Sequence, residues 1–210
     1  MKLIYRGAEA DVFEGEWGGP STAAVYKFRK PLPYRLPQLD SEIRAQRTTH
    51  EAQIISGARS AGVKVPHLYY VSPAESLIVM ERLEGPRLKA NLEDRNRVTE
   101  LSREFGSAVA KLHRAGIMHG DLTTSNVIVG KQGLHLIDFG LAMHTSKLED
   151  HAVDLRLIKE TLVGAHSEVS SLAMGSFLGG YESVVGARRA REVTKKLAEI
   201  ERRGRYARVE

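Results

Sequence analysis

The chain has 210 residues, of which 42% are hydrophobic, and a formal net charge of +5 at pH 7. It contains no run of about eighteen apolar residues, which argues against a membrane-spanning helix. The absence of cysteine excludes disulfide frameworks and thiolate metal sites, and the first residues lack the apolar stretch of a secretory signal. The composition therefore predicts a cytoplasmic protein with one or two packed lobes and no membrane partner.

Short β-favouring segments separated by glycine or proline occupy most of the first part of the chain. They predict a sheet-rich lobe with one helix, here called the N-lobe, over residues 1–84. Its five expected strands cover residues 2–6, 11–17, 21–29, 68–71 and 77–80.

The loop between the first two predicted strands has the position of a nucleotide phosphate loop. It keeps only one glycine of the usual Gly-x-Gly-x-x-Gly pattern, so its backbone has less freedom to approach phosphates, and an ordinary β-turn remains an alternative. Its candidate nucleotide contacts are Gly7, Ala8, Glu9, Ala10, Asp11 and Val12.

The third predicted strand carries a candidate phosphate-binding lysine. Alternate residues of a strand share a face, so Lys27 is expected on the same face as Val25, beside an apolar surface of the N-lobe. A lysine in this position can pair with the α- and β-phosphates of a nucleotide. The alternative is a solvent-exposed lysine on an edge strand. The motif in residues 119–140, described below, argues against this alternative.

A predicted helix over residues 40–56 offers the lysine an acidic partner. Glu51 aligns with Ile55 at helical spacing and therefore faces the apolar side, where a carboxylate is costly unless it is paired. Glu42 lies on a polar stripe instead. We therefore predict that Glu51, rather than Glu42, is the partner of Lys27.

The segment 80–85 is the predicted hinge after the fifth strand. Backbone groups at Glu81 and Leu83 could hydrogen-bond adenine there, and Gly85 with Pro86 ends the strand. The second lobe is expected to cover residues 85–203. It begins with a helix whose core-facing stripe consists of Leu101, Phe105, Ala108 and Leu112.

The most specific pattern in the chain is the loop His119-Gly120-Asp121-Leu122-Thr123-Thr124-Ser125-Asn126, followed by Ile137-Asp138-Phe139-Gly140. Phosphoryl-transfer enzymes of the kinase type use an Asp to accept the acceptor's proton, an Asn five residues later for one Mg²⁺, and a further Asp for the metal that bridges the phosphates. Asp121, Asn126 and Asp138 occur in that order. A hairpin between 127–129 and 134–137 is expected to return Asp138 towards the loop, with His119 and Phe139 as structural support.

The region after Gly140 is short for a kinase. It has room for three helices, expected at 153–163, 169–185 and 188–202, and it contains no Ala-Pro-Glu anchor for an extended activation segment. Gly120 takes the place of the arginine that grips a phosphorylated loop, and Thr123 takes the place of a lysine that contacts the γ-phosphate. We therefore expect slow intrinsic turnover without activation-loop phosphorylation.

The C-terminal segment is strongly basic. From Arg188 onward the sequence has nine Lys or Arg residues and four Glu residues. The resulting net charge of +5 equals that of the whole chain. Such a segment, ending in a basic tail over residues 204–210, could contact an RNA backbone. A solvated amphipathic helix with a frayed tail explains the composition equally well.

The loop 119–126, the motif Gly7-Ala8-Glu9-Ala10, the abrupt end after Asp138-Phe139-Gly140 and Arg203-Gly204-Arg205 together resemble one family. This is the small atypical protein kinase subunit of the KEOPS tRNA-modification complex, of the archaeal type, within the RIO-like kinase group. The resemblance covers nearly the whole chain. It implies an α+β, bilobal protein-kinase-like fold with a five-stranded N-lobe containing one helix and a reduced, mainly helical C-lobe.

The same resemblance implies ATP and Mg²⁺ as cofactors, serine/threonine autophosphorylation, and ATP hydrolysis that supports threonylcarbamoyl modification of tRNA adenosine. The implied partners are the KEOPS transferase subunit on the C-lobe side, a small subunit on the N-lobe, and tRNA at the basic C-terminal segment. Lys27, Glu51, Asp121, Asn126 and Asp138 take the family's roles by motif position.

Three alternatives stay open. A stand-alone RIO-type protein kinase is closest in class. A small-molecule phosphotransferase also uses His-Gly-Asp, although it would need a larger C-terminal region for its acceptor pocket. A pseudokinase scaffold predicts the loss of the lysine or of a metal ligand, whereas Lys27, Asn126 and Asp138 are all present.

Overall fold

The computed structural model describes residues 1–19, 22–92 and 94–206. Its α+β fold, with one five-stranded antiparallel sheet and a mainly helical second part, confirms the predicted fold class. Two predicted features fall partly outside the described residues: Ser21, the first residue of the third predicted strand, and residues 207–210 of the basic tail.

The chain divides into two compact units. The first contains Met1–Ser56 and Pro66–Leu83, and the second contains Gly57–Val65 and Glu84–Glu210. These units differ from the predicted lobes, 1–84 and 85–203, chiefly because Gly57–Val65 packs with the second unit. Among the helices of the described residues, none combines the length and apolarity that a membrane crossing requires.

The sheet of the first unit has the strand order β1-β2-β3-β5-β4, and every neighbouring pair is antiparallel. Its strands lie within one or two residues of the predicted ones, because glycine and proline separate the β-favouring segments. The elements of this unit are β1 (Lys2–Arg6), β2 (Ala10–Glu16), β3 (Ala23–Arg29), β4 (Leu68–Ser72), β5 (Leu77–Glu81) and, up to Ser56, helix α1 (Pro37–Ser60).

Helix α1 is longer than predicted at both ends. It begins at Pro37, since a proline in the first helical turn loses no hydrogen bond. It continues through Gly57 and ends before Gly62, whose φ of +78° is unsuited to a helix interior and favours glycine. The glycine at position 57 therefore did not mark the end of the helix.

The second unit contains five helices and two small antiparallel sheets among its described residues. Strands β7 and β8 form the predicted hairpin, in which Val127 is opposite Leu136 and Gly130 is opposite Gly133. The elements are α2 (Leu88–Asn91), α3 (Arg95–Arg114), β6 (Ile117–Met118), a 3-10 turn (Thr124–Asn126), β7 (Val127–Gly130), β8 (Gly133–Leu136), β9 (Met143–His144), α4 (Leu148–Ala165), α5 (Ser170–Val185) and α6 (Ala187–Tyr206).

The core of the second unit lies where α3 packs on α5. The predicted α3 stripe of Leu101, Phe105, Ala108 and Leu112 is buried. The ring of Phe105 meets that of Phe177 edge to face, with 5.3 Å between the centroids. The end of α3 is thereby placed next to β6 and the loop that follows it.

Candidate functional site

The first unit contains the predicted lysine–glutamate pair. Lys27 Nζ in β3 lies 2.6 Å from Glu51 Oε1 in α1. Glu51 is 1% exposed, as the spacing of the apolar residues in α1 suggested, whereas Glu42 is exposed to solvent. Val25 is half-buried two residues before Lys27. The assignment of Lys27, Val25 and Glu51 to nucleotide binding remains a prediction.

The candidate phosphate loop is a tight turn that cations hold in place. The Gly7 N–H donates to the Ala10 carbonyl over 2.9 Å, and a Cβ at Gly7 would lie only 2.8 Å from that oxygen. Lys30 Nζ donates to the Gly7 carbonyl over 2.7 Å and lies 3.3 Å from Asp11 Oδ1. Glycine is therefore needed at position 7 because of the close approach within the turn.

The middle of this loop is tied to α1 and to the segment before it. The Glu9 carboxylate pairs with Arg47, and its Oε1 lies 3.5 Å from Arg35 Nη2. Ala8 lies in the turn, and Val12 stands opposite Lys27 in the β2–β3 register. The loop thus leads directly into the strand beside the lysine.

The predicted hinge residues lie at the end of the first unit. Glu81 ends β5, where its N–H donates to the His67 carbonyl over 2.7 Å and its Oε2 accepts from the His67 N–H over 3.1 Å. The N–H of Glu81 is therefore used within the protein, and the contact of Glu81 with adenine remains a prediction. Leu83 is the last residue of this unit.

In the second unit, the candidate catalytic loop brings Asp121 and Asn126 together. Asn126 Nδ2 donates to the Asp121 carbonyl over 2.9 Å and to Asp121 Oδ2 over 2.8 Å. The 3-10 turn Thr124–Asn126 produces this contact because it folds the chain back within five residues. The orientation of the amide turns Asn126 Oδ1 away from the aspartate.

Asp138 lies two residues after the end of β8, the strand that pairs with β7. The preceding residue, Ile137, donates its N–H to the Asn126 carbonyl over 3.0 Å, and its own carbonyl lies 3.1 Å from His119 Nε2. Asp138 has a φ of +62°, a left-handed conformation that costs most residues free energy and that aspartate tolerates comparatively well. These bonds hold the turn at Asp138 against the catalytic loop.

His119 supports the site rather than facing solvent. It is fully buried, and its ring packs on Phe139 with 4.8 Å between centroids. Burial lowers the pKa of His119, while the charges of Asp154, Asp138 and Asp121 oppose this change. The imidazole of His119 is therefore neutral near pH 7, although the negative charges of Asp121 and Asp138 act on it.

The oxygen atoms of Asn126 and Asp138 are of the chemical type that binds a magnesium ion. Mg²⁺ prefers hard oxygen ligands and commonly uses one or two carboxylates together with phosphate oxygens and water. Because Asn126 donates its amide hydrogens to Asp121, its Oδ1 is the atom suited to a cation, and Asp138 adds carboxylate oxygens. Within the described residues, there is no cluster of three or more His, Cys, Asp or Glu that could hold a metal by itself.

Sequence reasoning missed Asp154, a fully buried residue of α4. Its Oδ2 accepts from the His119 N–H over 2.7 Å, and its Oδ1 accepts from the Gly120 N–H over 2.9 Å. Gly120 itself has a φ of +79°, and a Cβ there would lie 2.4 Å from the Leu141 carbonyl, which explains why no arginine stands at that position. One carboxylate thus binds the backbone immediately before Asp121.

A buried chain of hydrogen bonds keeps Asp154 ionised. The Tyr181 hydroxyl lies 2.8 Å from His113 Nδ1, and His113 Nε2 lies 3.1 Å from Asp154 Oδ2. Burial alone would raise the pKa of Asp154, but hydrogen bonds from His113 and from the His119 N–H lower it below its usual range. The available signal was that Asp154 shares a helical face with the apolar Ile158, as Glu51 does with Ile55.

If the chain turns over ATP, as its loop motif predicts, replacing Asp154 with asparagine is expected to lower that rate about tenfold or more, as for residues that orient an active site through another group. The new amide nitrogen would face the N–H of His119 or Gly120, two donors in a buried place. Steady-state kcat measures the effect, and Glu160→Gln on the exposed side of α4 is the matched control. Equal kcat values for both variants would contradict the positioning role.

Comparisons with known proteins identify the family. Residues 34–166, more than half of the chain, match the sequence model described as "Protein kinase domain". The chain is 40% identical over 212 residues to "KEOPS complex subunit Bud32" of Pyrococcus abyssi, covering 98% of this chain and 96% of that protein. These findings confirm the resemblance drawn from the loop 119–126.

Two further comparisons describe a longer relative and a solved fold. The chain is 37% identical over 204 residues to "Probable bifunctional tRNA threonylcarbamoyladenosine biosynthesis protein" of Methanothermobacter thermautotrophicus, covering 97% of this chain but only 36% of that relative. A crystal structure of Rio2 kinase with ADP/Mg²⁺-phosphoaspartate from Chaetomium thermophilum superposes with a TM-score of 0.66 and 13% identity. It covers 99% of this chain and 72% of the Rio2 chain, which shows a shared protein kinase fold. The chain therefore belongs to the Bud32 family of protein kinases.

Proposed function

We propose that this chain is the atypical serine/threonine kinase and ATPase subunit of a KEOPS complex, and that its ATP hydrolysis supports threonylcarbamoyladenosine modification of tRNA. The observation that carries the proposal is the Asp121–Asn126 pair, hydrogen-bonded at 2.8 Å in a loop whose backbone a buried aspartate holds. Relatives named for the KEOPS complex and for this modification match at least 97% of the chain. We also propose that the protein is cytoplasmic and that its two lobes meet between residues 84 and 85.

ATP and Mg²⁺ are assigned to the following residues. Lys27, oriented by Glu51, would pair with the phosphates of ATP, and Asn126 and Asp138 would hold Mg²⁺, which when bound would supply positive charge to the phosphates. The other nucleotide contacts come from the phosphate loop, the strand beside the lysine and the hinge: Gly7, Ala8, Glu9, Ala10, Asp11, Val12, Val25, Glu81 and Leu83.

Asp121 is the proton acceptor in this proposal. Its carboxylate receives the proton of the attacking hydroxyl, which belongs either to a serine or threonine side chain or to water. The hydrogen bond from Asn126 orients this carboxylate and leaves its other oxygen for the acceptor. Thr123 at the position of a γ-phosphate lysine supports slow turnover by the isolated chain.

The segment after Asp138 supports the absence of a phosphorylation-controlled loop. Helix α4 begins at Leu148, so only residues 141–147 separate it from the Asp138-Phe139-Gly140 motif. Within that segment, β9 pairs with β6 next to the catalytic loop. A segment this short and this well paired has little room for an order–disorder switch.

The transferase subunit of KEOPS is the proposed partner on the C-lobe side. The Methanothermobacter relative supports it, because that protein is named bifunctional and this chain accounts for about a third of its length. A small KEOPS subunit is proposed to dock on the N-lobe, as the family resemblance implies.

tRNA is the proposed ligand of the basic C-terminal segment. Several basic side chains of α6 and its neighbours already pair with acids: Lys196 lies 3.0 Å from Glu199, and Lys159 lies 2.7 Å from Glu201. Arg188 pairs with Glu192 but remains largely exposed. An RNA phosphate backbone would compete with these weak surface pairs.

Phosphate release from ATP tests the proposed function. It is measured for the chain alone, with the transferase subunit, and with both the transferase subunit and tRNA, while labelled ATP reports phosphate transfer to protein. We expect the partner and tRNA to stimulate phosphate release and the Asp121→Ala variant to lose it. Efficient labelling of an added protein that ignores tRNA and partner would instead identify a stand-alone RIO-type protein kinase.

A further inference from the structure

We propose that Arg29 is a positioning residue for the nucleotide site, because it holds the Glu51 carboxylate in the orientation that Lys27 requires. This inference rests on the proposed function, in which Lys27 pairs with the phosphates of ATP. Its basis is a contact that the lysine–glutamate pattern did not predict.

Glu51 binds a different cation with each of its oxygens. Its Oε1 lies 2.6 Å from Lys27 Nζ, and its Oε2 lies 2.5 Å from Arg29 Nη2. Lys27 and Arg29 are two residues apart in β3, so their side chains leave the same face of the sheet. The strand therefore presents two cations to one acid of α1.

The burial of the three side chains makes the second cation important. Only 2% of the Glu51 side chain is exposed, compared with 6% for Arg29 and 12% for Lys27. A buried carboxylate that loses its partner is strongly destabilising. If Lys27 were its one partner, any movement of the lysine towards phosphates would weaken the neutralisation of Glu51. With Arg29 in place, the carboxylate keeps a partner throughout.

The backbone of Arg29 is itself anchored. Its N–H donates over 2.9 Å to the carbonyl of Ser76, which itself has a φ of +56°. Arg44 Nη1 lies 3.5 Å from the Arg29 carbonyl and donates to Ser76 Oγ over 2.8 Å. Arg44 also binds Asp40 and thereby lowers the pKa of that carboxyl. These contacts connect the end of β3 to α1 and to the turn before β5.

The guanidinium suits this role better than an ammonium would. Arginine stays charged and presents its donors in a planar arrangement, so it holds an acceptor in a defined direction. Lys27 is the more adaptable cation, with a compact charge on a flexible stem. The two residues therefore have different roles: Arg29 fixes the orientation of Glu51, and Lys27 binds the phosphates.

A double-mutant cycle tests the inference. We expect Arg29→Met to lower kcat/KM for ATP about tenfold and Arg29→Lys to recover part of that loss. In a Glu51→Gln background, Arg29→Met should cause no further loss, because Arg29 acts through that carboxylate. Urea unfolding of the nucleotide-free variants should show the same non-additivity. Thr48→Val, which alters a buried residue of α1 bonded to the Arg44 carbonyl, is the control expected to leave the kinetic constants unchanged.

The outcomes separate this inference from the proposed function. If Glu51→Gln lowers ATP consumption while Arg29→Met behaves like Thr48→Val, the role of Arg29 is wrong and the proposed function stands. Additive effects of Arg29→Met and Glu51→Gln would also overturn the role of Arg29. If neither Glu51→Gln nor Asp121→Ala changes ATP consumption, the proposed function fails together with the inference.

Discussion

Replacing Asp121 with asparagine is expected to lower kcat for ATP consumption about a thousandfold, within the range for removal of a general base. The amide has nearly the shape of the carboxylate, but it cannot accept the proton of the attacking hydroxyl. Its carbonyl oxygen can still accept the hydrogen bond from Asn126 Nδ2, and the bond from that nitrogen to the backbone carbonyl is unaffected. The loop should therefore keep its conformation.

The signature of this loss is a fall in kcat with little change in KM for ATP. Such a pattern indicates an interaction that matters in the transition state rather than in nucleotide binding. Steady-state phosphate release over a range of ATP concentrations separates the two constants. Glu100→Gln, an exposed acid on α3, is a matched charge-removing control. A rise in KM at constant kcat would contradict the assignment of Asp121 as proton acceptor.

Replacing Gly180 with alanine is expected to destabilise the second unit by about 3 kcal/mol or more, since it overpacks a close helix crossing. A Cβ at this position would lie 1.9 Å from the Arg103 carbonyl oxygen and 2.8 Å from its carbon. On the facing helix, a Cβ at Gly106 would lie 1.9 Å from the Phe177 carbonyl oxygen. The backbones of α3 and α5 thus touch at two glycines, and neither carbonyl can move without shifting its helix.

The neighbouring residue offers a sharp control for this prediction. Gly179 is also helical, but a Cβ there meets no atom within 4 Å. Gly179→Ala should therefore raise stability by about 0.5–1 kcal/mol through helix propensity alone. Thermal and urea unfolding measure both variants. If the two alanine variants unfold alike, the close crossing of α3 and α5 is not as described.

The structure also shows where local patterns were informative. The loop 119–126 and the motif at Asp138 could be recognised from the sequence because each predicted role needs one residue type at a defined spacing along the chain. The position of Glu51 followed from a helical period of 3.6 residues, since an acid on an apolar face must find a partner. The five strands of the first unit were located to within one or two residues because turn-forming residues bound them, whereas the short strands β6 and β9 were not predicted.

Other features escaped because they depend on contacts between distant segments. Gly57 was taken as a helix end, yet α1 continues through it to Ser60. Asp154 comes more than thirty residues after the backbone groups it binds. Its partner His113, and Tyr181, which bonds to His113, come from two other helices. No spacing rule along the chain links these positions.

The sequence by itself determined which residues are candidates for the chemistry of this protein: Asp121 as the predicted proton acceptor, Asn126 and Asp138 as the predicted Mg²⁺ ligands, and Lys27 with Glu51 as the predicted ion pair. Those assignments follow from side-chain type and local periodicity. Only the tertiary structure decided how the groups are held, through the buried Asp154 beneath the catalytic loop and Arg29 on the second oxygen of Glu51. The reason is physical: a buried charge is stable only beside partners that folding brings from elsewhere in the chain.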